Sequence, residues 1–310
     1  MADYLQDLQF GVFPAPDASS TARLLALAEV AEVSGLDLFT VQDHPYQSRH
    51  LDALTLLTVV AARTSTLRVA LDVANRPPVV LAKAIASLDL LSGGRTELGL
   101  GAGALWDAVV AAGGPRRTPG EAVTALEEAI AVIRGVWRPE GSEAVRVHGS
   151  SYAVSGLHPG PAPAHPVEIW LGAYRPRLLG VTGRLADGWL PSMGYADPEV
   201  LGGFSATIDE AAVAAGRDPA DVRRLYNVVG RFGPHGKGPH LVGGPADWPS
   251  SWPPSPTSTG PAPSSWEPTT PTPCGASARR SRHWCASSSR PSGQAPQQNL
   301  PTGPGRGRSR

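Results

Sequence analysis

Two adjacent residues, Asp43 and His44, follow directly on an apolar run over residues 36–41 that reads as a β-strand. Loops at the carboxyl ends of strands are where parallel α/β folds keep their reacting groups, and an imidazole there can give or take a proton near neutral pH. The plainer reading is a loop histidine bonded to backbone. A second run, Gly99-Leu-Gly-Ala-Gly-Ala104, closes another apolar strand. Glycines at Gly101 and Gly103, with Ala102 between them, let backbone approach a ligand closely, and exposed amides can hold a phosphate. The spacing is not that of a dinucleotide fingerprint, and a tight strand exit accounts for it equally well. Two further strand exits carry chemistry-bearing residues: Val73-Ala-Asn75 after residues 67–73, where asparagine tolerates irregular backbone, and Gly172-Ala-Tyr-Arg175 after residues 167–171. For Arg175 the alternative is a solvated side chain at a helix start. Trp189 reads either as a wall of the same pocket or as a buried indole with its N–H bonded. His148, His158 and His165 lack metal-ligand spacing, fall among Pro and Gly, and are expected on the surface; no metal site is expected.

All four exits need to lie on one rim, and the periodicity supplies the elements for that. Short apolar runs at 8–13, 36–41, 67–73, 97–100, 167–171, 187–190 and 224–229 alternate with segments of helical spacing at 20–34, 53–63, 79–91, 119–137 and 198–215. Thr118-Pro-Gly-Glu121 is a capping box with proline at the first helical position, and Gly35, Gly93-Gly94 and Gly216 sit where helices end. Residues 145–154 read as a surface hairpin. Seven strands with intervening helices in this length approach a (β/α)8 TIM barrel in which the eighth βα unit is missing.

Four stretches carry a family resemblance: Leu36-Asp-Leu-Phe-Thr-Val-Gln-Asp-His-Pro-Tyr46, Ser92-Gly-Gly-Arg-Thr-Glu-Leu-Gly-Leu-Gly-Ala-Gly103, Ile169-Trp-Leu-Gly-Ala173 with Arg184-Leu-Ala-Asp-Gly-Trp189, and Leu241-Val-Gly-Gly-Pro-Ala-Asp-Trp248. Together they resemble the bacterial luciferase-like flavin-dependent oxidoreductases over residues 8–248. The resemblance implies a TIM barrel with an inserted segment and a reduced flavin (FMN) or a 5-deazaflavin coenzyme across its carboxyl mouth. Hydride transfer to, or monooxygenation of, a small organic substrate would follow. It also implies His44 as the group beside the reactive ring with Asp43 as its orienter. Val73, Ala74 and Asn75 would lie behind the ring, Gly101, Ala102 and Gly103 against the cofactor, and Gly172, Ala173, Tyr174 and Arg175 at its phosphate or tail. The Asp-His pair points to the deazaflavin branch. A flavin-holding barrel without turnover, or an inactive truncated member, is the competing expectation.

The 310 residues are 41% hydrophobic with a formal net charge of zero, which suits a globular chain, but the charge balance hides two unlike segments. Residues 1–248 carry 20 Lys and Arg against 26 Asp and Glu, whereas 249–310 carry 7 Arg, no Lys and one acid, Glu267. Beyond Trp248 the only aliphatic residue larger than alanine is Leu300, and both cysteines, Cys274 and Cys285, lie there. The chain is therefore expected to divide into a barrel domain, 1–248, and a Pro/Ser/Arg-rich tail, 249–310, too poor in apolar surface to fold. A second reading of that tail is translation in a shifted frame. Read one base early in GC-rich codons, Ser250–Pro256 can become Glu-Gln-Leu-Ala-Ala-Leu-Ala, a helical string. A body without cysteine and a start without an apolar leader give the expectation of a cytoplasmic protein without membrane segments. Nucleic acid is not an expected partner despite the tail arginines, and self-association to a homodimer is open.

Overall fold

The computed structural model describes residues 4, 6–73, 76–232 and 241–243, all within one compact unit, 1–259. Ala74, Asn75 and the segment 249–310 with its two expected readings lie outside the described residues.

The first half is four βα units in succession. They are β1 (Gly11–Val12), α1 (Thr21–Val33), β2 (Leu38–Gln42), α2 (Ala53–Arg63), β3 (Arg68–Val73), α3 (Pro78–Ser92) and β4 (Thr96–Gly101), after which a short α4 (Trp106–Ala111) follows. Then come α5 (Pro119–Val136), the hairpin β5 (Val145–His148) and β6 (Ala153–Leu157), β7 (Ile169–Gly172), α6 (Pro176–Leu185), β8 (Gly188–Trp189), α7 (Pro198–Ala214), β9 (Arg223–Arg224), β10 (Gly230–Phe232) and β11 (Leu241–Gly243). Seven strands form one curled parallel sheet in the order β1, β2, β3, β4, β7, β8, β9. That is the expected barrel sheet, open among the described residues between β1 and β9. A separate parallel pair, β10 with β11, stands outside it, and the antiparallel hairpin is the expected insertion.

The sheet is buried on both faces, so its strands read as continuous apolar runs. Phe39, Val41, Val69, Leu71, Leu98, Ile169 and Leu171 are sealed from solvent and pack with Leu57, Ile85, Ile133 and Leu179 of the covering helices. Helix ends follow the expected signals. Asp52 caps α2 by accepting from the Thr55 amide at 2.8 Å, Thr118 and Glu121 complete the capping box of α5, and α3 ends at Gly93 with φ +74°.

The outer strands differ from expectation. β1 spans two residues, because Leu8 and Phe10 are exposed and Phe10 meets the sheet through its carbonyl, which accepts the amides of Asp37 and Leu38; β9 ends at Arg224, with a single bridge from Ser192 to Asn227 beyond it. Periodicity did not announce two helices, although α6 starts where the alternative reading of Arg175 put a helix start. α6 has neither a capping side chain nor a glycine-free interior, and α4 is one and a half turns long, entered through Leu105 at φ +53°. Glycine inside α6 has a packing reason. A Cβ at Gly183 would stand 2.3 Å from the carbonyl oxygen of Ile208, so α6 and α7 touch through backbone there.

Candidate active site at the carboxyl rim

A parallel sheet sends every strand's carboxyl end to the same side, and the register puts the expected residues there together. Gln42 pairs with Asp72, Val73 with Leu100, and Gly101 with Gly172. Asp43-His44, Val73, Gly101–Gly103 and Gly172–Arg175 therefore share one rim.

His44 is half-buried in the loop after β2, and both ring nitrogens are engaged. Nδ1 lies 2.6 Å from the Tyr46 hydroxyl and Nε2 lies 3.1 Å from Oε1 of Gln42. Burial, reinforced by the His50 ring 6.3 Å away, holds the imidazole below its ordinary pKa, with the Asp43 carboxylate pulling the other way. Asp43 does not orient the ring by a hydrogen bond, contrary to expectation. Its buried carboxylate takes a two-pronged contact from Arg76, Nε to Oδ2 at 2.6 Å and Nη2 to Oδ1 at 2.9 Å. Arg76 also grips Asp52, the cap of α2, and these paired contacts push its pKa further up. One guanidinium thus ties the exit of β3 to the β2 loop and to α2. A sequence pattern cannot show this, since the partners lie 33 and 24 residues apart. Beside the clamp, a narrow cavity between α3, α5 and the end of β4 is lined by Arg76, Leu81, Gly101, Ala102, Arg117 and Tyr152.

The glycine exits differ in what lies against them: the Trp106 ring stands 3.0 Å from a Cβ built on Gly103, while Gly172 is open. Gly103 has φ +91°, a conformation that disfavours any other residue, and nothing nearer than the Leu190 carbonyl at 3.7 Å faces a Cβ built on Gly172. α6 begins directly after Gly172-Ala-Tyr-Arg175, with proline at N1 and no capping side chain, so the open amides of its first turn face the rim. Arg175 is exposed there. Ala173 is fully buried and its carbonyl accepts from the Trp189 indole at 2.9 Å; of the two readings of Trp189, the buried and bonded one holds. Tyr174 accepts the Ser192 amide at 3.0 Å and stacks against Tyr195 with ring centroids 5.5 Å apart.

The Ser92-Gly-Gly-Arg-Thr-Glu97 motif lies at the opposite, amino end of the strands. Arg95 reaches the carbonyls of Ala61, Thr64, Leu67 and Ser92, locking α2 to the turn before β4. Asp89 and Glu97 are fully buried, and His165 stands between them. His165 is therefore only partly exposed, its side chain 25% accessible, where its Pro/Gly surroundings had suggested the open surface. Its Nε2 meets Glu97 at 3.1 Å, while Nδ1 lies 2.8 Å from Asp89 without hydrogen-bond geometry. Glu97 also pairs with Arg68 and accepts the Glu168 amide at 2.6 Å. Among the described residues no cluster of His, Cys, Asp or Glu could hold a metal ion, and no helix is long and apolar enough to cross a membrane.

A curled parallel sheet with an inserted hairpin, and with the candidate residues gathered on its carboxyl rim, points to a class. Residues 8–229 match the family model of the luciferase-like monooxygenases, and the chain belongs to that family of flavin- and deazaflavin-dependent oxidoreductases. The F420-dependent glucose-6-phosphate dehydrogenase of Kineococcus radiotolerans is 29% identical over 233 residues, 72% of this chain and 68% of that one. The 5,10-methylenetetrahydromethanopterin reductase of Methanolobus tindarius is 32% identical over 220 residues, 69% of this chain and 63% of its own. A solved F420-dependent secondary alcohol dehydrogenase, in complex with an F420-acetone adduct, superposes with a TM-score of 0.67 at 20% identity, covering 74% of this chain and 71% of that one. The chain thus spans about two thirds of the length of such relatives.

Proposed function

We propose that this chain is the deazaflavin-using kind of luciferase-like oxidoreductase, moving a hydride between the coenzyme and a small alcohol or carbonyl compound. The observation that carries the reading is His44, held with both ring nitrogens engaged on the rim that Gly101–Gly103 and Gly172–Arg175 also form. The sequence relatives named as F420-dependent support the coenzyme. When bound, the coenzyme supplies a two-electron centre that accepts or donates hydride. The chain does the rest. The glycine exits and the first-turn amides of α6, with Arg175, would hold the anionic parts, Val73 and its neighbours Ala74 and Asn75 would back the ring, and His44 would exchange the proton that accompanies the hydride.

Titration of the full chain with FMN and with the deazaflavin coenzyme, each oxidised and reduced, tests the assignment. Selective binding of the deazaflavin is expected; selective binding of reduced FMN would replace hydride transfer by monooxygenation, and binding of neither would overturn it. A homodimer belongs to the same proposal, supported by Val30 and Val33 of α1 and Leu91 of α3, which are 60, 89 and 81% exposed. Sedimentation at two concentrations checks it. Absence of cysteine from the body supports a cytoplasmic place of action.

A further inference from the structure

The hydrogen bonds of His44 carry information about direction. Gln42 belongs to β2 and presents its amide oxygen, which can only accept, to Nε2 at 3.1 Å. With the amide in that orientation, Nε2 carries the proton. In the neutral ring Nδ1 is then an acceptor, and the group facing it at 2.6 Å is the Tyr46 hydroxyl, which must donate. The lone pair of His44 is thus spent on Tyr46, and neither ring nitrogen is open to a substrate. The atom beyond the ring with lone pairs to offer is the phenol oxygen.

We propose, resting on the hydride-transfer reading above, that Gln42 and Tyr46 lock His44 in its Nε2–H tautomer and that the Tyr46 hydroxyl is the atom through which the ring exchanges protons with a hydroxyl-bearing substrate. In the oxidising direction the substrate O–H bond breaks and its proton passes to the Tyr46 oxygen, while the phenolic proton of Tyr46 moves to Nδ1. The carbinol carbon gives up its hydrogen with the bonding pair to an oxidised deazaflavin, and the C–O bond becomes a carbonyl. The ring ends as imidazolium, its Nε2–H still on Gln42, and the proton returns to solvent as the coenzyme and product leave.

The surroundings agree. Burial and the charge of Asp43 push the Tyr46 phenol above its ordinary pKa, which keeps it a donor in the resting protein. The charged and titratable groups around His44 are His50, Asp43 and Tyr46 on its own loop, and Arg76 from the β3 exit, already spent on Asp43 and Asp52. None of these replaces Tyr46 at Nδ1.

Imidazole 15N spectra of the full chain over about pH 5–8, with His44→Gln identifying the resonances, test this without coenzyme or substrate. The expected neutral form is protonated at Nε2. Tyr46→Phe removes a donor to the neutral ring and should raise the His44 pKa, while Gln42→Leu removes an acceptor that the imidazolium uses more strongly and should lower it, each by about half to one unit. Gln42→Glu, which keeps an acceptor and adds charge, should raise it, and it serves if the leucine variant does not fold. An Nδ1–H tautomer, or a Tyr46→Phe protein whose His44 pKa stays in place or falls, overturns the proposal. Failure of the deazaflavin titration leaves these spectra unchanged, so the two readings fall separately.

Discussion

At the scale of residues, the site is governed by what happens to each polar group once it leaves water. His44 is held neutral by burial and by His50, so its protonated form is disfavoured in the folded protein. The sign follows. What the neutral ring contributes is present above the ordinary histidine pKa of about 6.5 and is lost as pH falls through that value towards the lower folded one. The acid limb of a pH–rate profile should accordingly lie below about pH 6.5, and His44→Gln should remove the limb together with at least about a hundredfold of turnover. A limb that survives the substitution would assign the base elsewhere. Asp43 has a different task, because its carboxylate is already closed by Arg76. Arg76→Ala leaves that carboxylate buried and unpaired, and urea denaturation should show a loss of about 3 kcal/mol, with Arg76→Lys recovering only part because it lacks the fork. The Asp-His pair was legible as a candidate from its place after a strand. Its true supports were not, since Gln42 and Tyr46 are ordinary residue types and Arg76 is separated from Asp43 by a whole βα unit.

At the scale of elements, helix caps, glycine stops and the alternation of apolar runs announced most of the architecture, because they are local and use signals a few residues long. The exceptions are as informative. α6 lacks a cap and contains Gly180 and Gly183, so local propensity argues against it; it exists because Leu178, Leu179 and Val181 are buried and α7 lies against its backbone. Gly183→Ala should therefore cost about 2 kcal/mol in thermal or urea unfolding, although alanine is the better helix former. Stabilisation instead would show that α7 can draw back. Glu128 of α5 shows the same long reach. Against burial that would raise its pKa, the amides of Tyr152, Ser151 and Ser150 hold it down and fasten the β5–β6 turn to the helix. The Ser92-Gly-Gly-Arg95 part of the second family stretch belongs to this scale too: Arg95, with Asp89 and Glu97, closes the amino end of the sheet, while the glycines of the same stretch stand at the rim.

At the scale of the whole molecule, the question is how a seven-stranded sheet whose edges, β1 and β9, are open among the described residues is protected. Gln6 answers part of it by side chain alone. Its amide donates to the carbonyls of Ala220 and Val222 and accepts from the Arg224 amide, standing in for a neighbouring strand on β9, while the Arg224 guanidinium covers the Tyr4 ring at 4.4 Å. Gln6→Ala should raise amide exchange at Arg224 at least about tenfold with little change at β3 and β4; unchanged exchange would mean that other groups guard the edge. For the two-segment division at 248 the composition remains the argument, and limited proteolysis is expected to clip within 249–310 first. A protease-resistant band containing that segment would refute the division.

The sequence by itself determined the class of fold, the rim that gathers the candidate residues and the family, because parallel βα order, strand exits and the quoted motifs are all written in short stretches of chain. Tertiary structure alone decided which groups serve the site and which serve the fold. His44 answers to Gln42 and Tyr46 rather than to Asp43, Trp189 is a bonded core residue, and His165 is drawn in between two buried carboxylates. The physical reason is common to all three. A buried polar group takes whatever partner the packing brings within about 3 Å, and that partner's distance along the chain has no bearing on the choice.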